Sequence, residues 1–379
     1  MLKKKWLALL LIFIFAGITL TGCSTTELNY YNLAEELSSQ KVYSDSGSIT
    51  LNFAQLPASM FNDTNAPSAE VIRKALDQHR IEYNGQVDMN QDACQYDFYI
   101  IDEITSVKSP IFTIIYRQNE AYIKVGDFVR YVEQFCNESD KKDIDQVFSD
   151  AEWVSITNED LKNFNPDQPV NISNLLQKSS RQQAIIFRLY DGLFDDAYAN
   201  YSPNLISQNG NQYILTLRGS QILDLTKSVS TYTIKNIETV GAVLKTFINS
   251  LSPTELADLG LNNEMQVKAA ESVDLMVSEV MFNRAQYLSE LQKIDESSQQ
   301  ELLNIINDSE IVSTMEKTDA STYNMSVRLH LNITDSSSNE KFNIVITNNY
   351  MLKAGGAIQI TVPSEKIITL TELDKRMPQ

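Results

Sequence analysis

Few residues in this chain have the type and spacing to do chemistry. There are two histidines, His79 and His330, and three cysteines, Cys23, Cys94 and Cys136. A hydrolytic triad needs a base beside a serine or cysteine. Neither histidine lies near a G-x-S-x-G elbow, and two histidines exclude a multi-His metal centre. The sequence has no H-E-x-x-H, no paired C-x-x-C, no G-x-x-x-x-G-K-[ST] and no G-x-G-x-x-G. The densest acidic group, Asp191, Asp195 and Asp196 in YDGLFDDAY, departs from the EF-hand spacing and reads as a solvated helix face. The expectation is no catalytic residue, no metal site and no cofactor.

The remaining chemistry is at the N-terminus. Lys3, Lys4 and Lys5 precede the apolar run WLALLLIFIFA at 6–16, in the order of a secretory signal. The run is too short for a transmembrane span, which takes roughly 20 apolar residues. It ends in Leu20-Thr21-Gly22-Cys23, which resembles the lipobox of bacterial lipoproteins. The resemblance implies cleavage after Gly22 and acylation (palmitate or a similar chain) of Cys23. It also implies a mature protein tethered to the extracytoplasmic face of a cell membrane. Each buried acyl CH₂ contributes about 0.8 kcal/mol, so several chains make a stable anchor.

Removing the signal takes three lysines and no acids, so the formal charge goes from −18 to −21. An acidic polypeptide of this kind repels nucleic acid and anionic headgroups. The membrane partner is therefore reached through the lipid alone. With Cys23 acylated, Cys94 and Cys136 remain in a compartment that permits disulfides. They form either a bridge or two unpaired buried thiols. A bridge would close a loop of about 43 residues and contribute roughly 4 kcal/mol on the chain-entropy model.

The elements that position these residues follow from periodicity. With 379 residues and 43% hydrophobic side chains the chain can bury one large core or two. The organisation expected is a signal at 1–22, a lipidated N-terminus and flexible Ser/Thr/Asn-rich tether at 23–50, an α+β region at 51–165, and a helix-rich region at 166–379. The last two either fold separately or merge into one domain, and the boundary is marked by Pro166 and Pro169. A helix is predicted over 69–80, with His79 near its end. Strands are predicted over 96–104, 111–116 and 121–125, then a helix at 127–135 and a strand at 153–156. Helices follow within 172–199, at 237–251, at 264–295 and at 301–307, and a strand at 213–217. Ser252-Pro253-Thr254-Glu255 is a capping box, with Gly260 as the matching stop.

Val327, Leu329, Leu331 and Ile333, then Phe342, Ile344 and Ile346 across a polar loop at 335–340, then Ile358, Ile360 and Val362, alternate as three strands. The first of these places His330 on the polar side of its strand. The class is α+β: an antiparallel β meander or half-barrel sheet packed against several helices. Aromatics crowd one stretch, and Phe98, Phe112, Tyr116 and Tyr122 are the candidate lining of an apolar-ligand site.

The phrase AYIKVGDFVRYV at 121–132, Trp153-Val154-Ser155-Ile156 and the closing ITVPSEKIITL resemble extracytoplasmic lipoproteins whose half-barrel sheet is covered by helices, the lipid carriers of LolA and LppX type. The resemblance spans 90–230 and the C-terminal strands, and the helices at 237–307 depart from it. It implies a non-enzymatic anchored lipoprotein that binds a lipid-like or other apolar ligand. The alternatives are a structural lipoprotein that contacts envelope proteins without a small ligand, and a solute-binding lipoprotein of a transport system built from two parallel α/β lobes.

Overall fold

The computed structural model describes residues 24–56, 77–133, 136, 138–148, 150–164, 171–293, 308–334 and 341–377. The signal and Cys23, most of the helix expected at 69–80, the prolines at 166 and 169, the helix expected at 301–307 and the loop at 335–340 lie outside the described residues.

The chain is α+β. Its elements are α1 (Thr25–Ser38), β1 (Val42–Gln55), β2 (His79–Asp88), β3 (Ala93–Asp102), β4 (Lys108–Arg117), β5 (Glu120–Lys124), α2 (Gly126–Glu133), α3 (Glu138–Phe148), β6 (Trp153–Thr157) and α4 (Asn158–Phe164). Next come α5 (Leu175–Gly192), which runs into a π turn (Leu193–Ala197), then β7 (Ile206–Asn209), β8 (Gln212–Arg218), α6 (Gly219–Lys235), α7 (Ile237–Ser250) and α8 (Pro253–Asp258). The chain continues through α9 (Asn263–Phe282), α10 (Arg284–Lys293), β9 (Glu310–Lys317), β10 (Thr322–Thr334), β11 (Lys341–Ala354), β12 (Ile367–Thr369) and α11 (Leu370–Arg376).

All described strands join one open sheet, ordered β12-β6-β5-β4-β3-β2-β1-β11-β10-β9-β8-β7. Strands β1 to β6 form one antiparallel meander and β7 to β11 another. The antiparallel pairing of β1 with β11 joins them, from Tyr43 opposite Ala354 to Gln55 opposite Asn343. The sheet thus draws strands from both regions that the sequence divided at 165. Only β12 pairs in parallel, with β6, so the two parallel lobes of the transport alternative are not this architecture.

The stretch expected to be a tether with a short helix around Leu33 to Leu37 is a longer helix and a strand instead. Ser24 caps α1 in a full capping box with Glu27, and β1 is central in the sheet. Small polar residues hold strand geometry there because β2 and β11 pair both of its edges. Helix α1 also binds the two layers of the molecule together. Leu33 packs on Met315, Tyr323, Met325 and Leu352 of the sheet. Tyr31 enters the helical core of Leu193, Phe194, Tyr198, Val229 and Val240, where its hydroxyl donates to Asp191 at 2.7 Å. Burying each of these two side chains contributes about 2 kcal/mol.

Three further expectations are corrected. His79 opens β2, opposite Asp102, and does not end a helix. The helix expected at 264–295 is two helices, α9 and α10, separated at Asn283. Ile358, Ile360 and Val362 belong to no strand. Both edges of β11 are already taken by β1 and β10, so a third strand has nowhere to pair. Gly355 and Gly356, at φ +79° and +95°, turn the chain away.

Candidate functional site

Strand periodicity gives the sheet two unlike faces. The inner face carries Tyr43, Val87, Cys94, Tyr116, Met315, Tyr323 and Leu352 against α1 and the start of α5. The outer face is polar along cross-strand rows. One row runs Gln212, Glu316, Asn324, Met351, Ser46, Asn84, Asp97, through registered neighbours from β8 to β3. The next runs Thr314, Ser326, Asn349, Ser48, Glu82.

Apart from Glu316 and Asp97, these residues line a cleft of about 620 Å³. A smaller cleft of about 250 Å³ shares Ser46, Asn84 and Met351 and extends past Gln86, Gln95, Asp97 and Lys353. Together they make a trough across the strands. Its floor is the serine side of the SDSGS stretch, Ser44, Ser46 and Ser48, whose side chains are the shortest in the rows.

The trough is braced from behind by two close approaches. A Cβ on Gly47 would stand 2.6 Å from the Asn349 carbonyl oxygen and from the Tyr83 hydroxyl. A Cβ on Gly85 would overlap Asp45 and the Tyr96 ring. Both positions must lack a side chain so that Tyr83 and Tyr96 can lie flat against the inner face. Those rings continue into Phe98, with centroids 6.2 Å away in each case. Burial pushes the Tyr83 hydroxyl up to about 12 and raises the Asp45 carboxyl above its usual range.

In the larger cleft the one lining carboxylate is charge-matched, while Lys353 adds a cation to the smaller cleft. Glu82 holds Arg80 at 2.8 Å and Lys108 at 2.9 Å; the bonds from Lys108, then Arg80, hold its carboxyl below the usual range. Asp97 accepts from Thr113 at 2.7 Å and from Gln95 at 3.2 Å.

The four residues expected to line an apolar site do not share one. Phe98 and Phe112 face each other across β3 and β4, with ring centroids 4.6 Å apart, half-buried on the inner face. Tyr116 is on that face but is a structural pin, 4% exposed. Its hydroxyl donates to Asp92 and accepts from the Leu175 amide. Tyr122 pairs with Ile115, whereas Ala121 pairs with Tyr116, which puts Tyr122 on the opposite face, bonded to Glu120. None of the four lines either cleft of the trough, nor a third cleft of about 390 Å³ beside Arg188, Gly192, Val243 and Phe247.

Cys94 and Cys136 are free, not bridged. Cys94 is buried among Val87, Tyr116 and Leu176, while Cys136 follows α2, which packs on β4 and α3. Burial pushes the Cys94 thiol up to about 11. His330 pairs with Asn343 at 3.2 Å. Among the described residues no group of three or more His, Cys, Asp or Glu side chains is placed to hold a metal ion, and no helix is long and apolar enough to cross a membrane.

Sequence reasoning missed the trough. The usable signal was the alternation Tyr43, Ile49, Leu51, Phe53 against Ser44, Ser46, Ser48, Thr50, which is a strand period within a serine-rich stretch. Comparison with family models, curated proteins and solved structures finds no match to this chain.

Proposed function

We propose that this chain is a non-enzymatic lipoprotein, held by acylated Cys23 at the extracytoplasmic face of a membrane, with the trough of its sheet as a ligand-binding surface. The observation that carries the reading is an adjacency. Leu20-Thr21-Gly22-Cys23 ends immediately before Ser24, and Ser24 is the cap at which the described fold starts. A cut before Cys23 leaves that cap whole. Glu27, fully buried, accepts hydrogen bonds from the Ser24 amide, the Ser24 hydroxyl and the Ser202 hydroxyl. The residue next to the anchor is therefore fastened to the body, and no spacer separates lipid from fold.

The ligand surface is taken to be the trough because it is a formed cleft, whereas Phe98 and Phe112 stand apart from the clefts described above. Growing cells with radiolabelled palmitate tests the anchor. Label should enter the wild-type chain and not a Cys23→Ala variant. An unlabelled wild-type chain, or one that stays with the cytosolic proteins, refutes the reading.

A second reading, contact with an envelope protein, is favoured by one observation. Val267, Leu275 and Phe282 of α9 are 57%, 72% and 89% exposed. At about 100° per residue they fall in one sector of roughly 80°, away from Val277, which packs on Gly241 of α7. Such a stripe suits an apolar protein surface. A photocrosslinker at position 275 should capture one discrete partner in intact cells, and no adduct would count against it.

A further inference from the structure

We infer that the trough is a site for an uncharged oligosaccharide lying across the strands from β2 to β8. The inference deepens the binding-surface reading above and rests on it. Three properties of the site select this ligand class.

The first is shape. The larger cleft runs over β2, β1, β11, β10, β9 and β8. At a strand spacing of about 4.8 Å that is a length of roughly 24 Å. A long trough on a flat sheet suits a linear oligomer better than a compact metabolite. Its serine floor leaves space, and Asn84 and Asn349 on the flanking strands supply longer polar side chains as walls.

The second is the kind of hydrogen bond on offer. Serine and threonine hydroxyls and asparagine and glutamine amides each donate and accept. A row of such groups matches a ligand whose own groups do both, and sugar hydroxyls do. The larger cleft has no lysine or arginine among its described lining residues, and its single carboxylate, Glu82, is already held by Arg80 and Lys108. An anionic polymer would find no counter-charge in that larger cleft, Lys353 lining only the smaller one, on a chain of formal charge −18.

The third is what the surface denies a peptide. Every backbone edge under the trough is used, since β1, β11, β10 and β9 each pair on both sides, so a strand cannot be added. Met351 is the only apolar side chain of the outer face in the larger cleft, which leaves no row of pockets for peptide side chains. The backing rings of Tyr83 and Tyr96 hold the floor rigid before any ligand arrives, which lowers the ordering cost of binding.

Isothermal titration of the full chain in detergent micelles tests the inference. The probes are maltotetraose, cellotetraose and N-acetylchitotetraose as neutral chains, tetragalacturonate as an anionic chain, and an uncharged Ser/Asn-rich octapeptide. At least one neutral tetrasaccharide should give a saturable isotherm, with tetragalacturonate and the peptide at least tenfold weaker. Ser46→Trp, which fills the floor, should abolish binding without moving the thermal transition. Asn84→Ala with Asn349→Ala should weaken it about tenfold, and this pair decides the matter if Ser46→Trp folds poorly. Three results each overturn the inference: no saturable binding of any neutral probe, stronger binding of the anionic chain or the peptide, or unchanged affinity in the asparagine double variant. Loss of palmitate label would remove the anchor and leave this titration as it is; loss of sugar binding would leave the anchor as it is.

Discussion

Replacing Asp92 by alanine measures how firmly the helical layer is fastened to the sheet. Asp92 sits in the turn between β2 and β3 at φ +50°, 1% exposed. Its Oδ1 accepts from the Leu176 amide at 3.0 Å and the Gln177 amide at 3.1 Å, and its Oδ2 from the Tyr116 hydroxyl at 2.6 Å. The first amides of a helix have no intrahelical partner, and Asn174, at the cap position of α5, makes no side-chain bond to them. Asp92 therefore caps α5 from another element, with its charge at the favourable end of the helix dipole.

A hydrogen bond to a charged group contributes about 1.5–3 kcal/mol. Three are lost in Asp92→Ala, but water can reach helix-end amides in part, so about 3 kcal/mol is expected rather than the full sum. Urea unfolding followed by circular dichroism reads it as a lower midpoint at unchanged slope. Asp92→Asn keeps an acceptor in place and should cost about half as much. A double-mutant cycle with Tyr116→Phe should show a coupling of about 1 kcal/mol. A loss below about 1 kcal/mol for Asp92→Ala would refute the reasoning, since two part-buried helix-end amides cannot lose a charged partner so cheaply, even though the Tyr116 hydroxyl keeps the Ile172 carbonyl at 2.8 Å.

Three other outcomes follow from the packing, the titrating groups and the thiols. Gly241→Ala drives a methyl into Val277 and should destabilise by about 1–3 kcal/mol; adding Val277→Ala should recover most of it, and no recovery in urea unfolding would disprove the contact. At high pH the fold should weaken. Burial holds Cys94 at about 11 and Tyr43 and Tyr83 at about 12, all above their unfolded values. The stability they contribute is complete below the unfolded values and lost as pH rises through the folded ones. The urea midpoint should therefore fall between about pH 9 and 12, and a flat profile would contradict the assigned burial. In a Cys23→Ala variant, Cys136 should react with a disulfide reagent at pH 8 and Cys94 only after unfolding.

The sequence was legible where a local pattern decides the structure. Val327 to Ile333 and Phe342 to Ile346 alternate because one side of the sheet is packed, and Ser252 with Glu255 reads as the cap that α8 has. It misled where distant partners decide. Residues 42–50 look like a tether by composition, and what makes them a strand is β11, nearly the whole chain away. Ile358 to Val362 alternate well enough, yet the strand before them, β11, already has both edges paired. Tyr116 and Tyr122 are six residues apart with a tight turn between, and that turn's register puts them on opposite faces. The trough was the least legible feature, because seven strands each supply one to three ordinary outer-face polar residues to it.

The seam between β1 and β11 also governs how the molecule is assembled. During synthesis β1 emerges among the first segments and β11 among the last, so β1 has β2 as its only neighbour on the sheet while most of the chain is still to be made. Closing such a distant pair is entropically slow, and an unpaired strand edge invites pairing with another molecule in the meantime. The edge that waits is the serine-rich one. Its stretch at 44–48 carries no apolar side chain, which makes that part a poor template for self-association, so the residues that give the finished protein its hollow also guard the nascent one against aggregation.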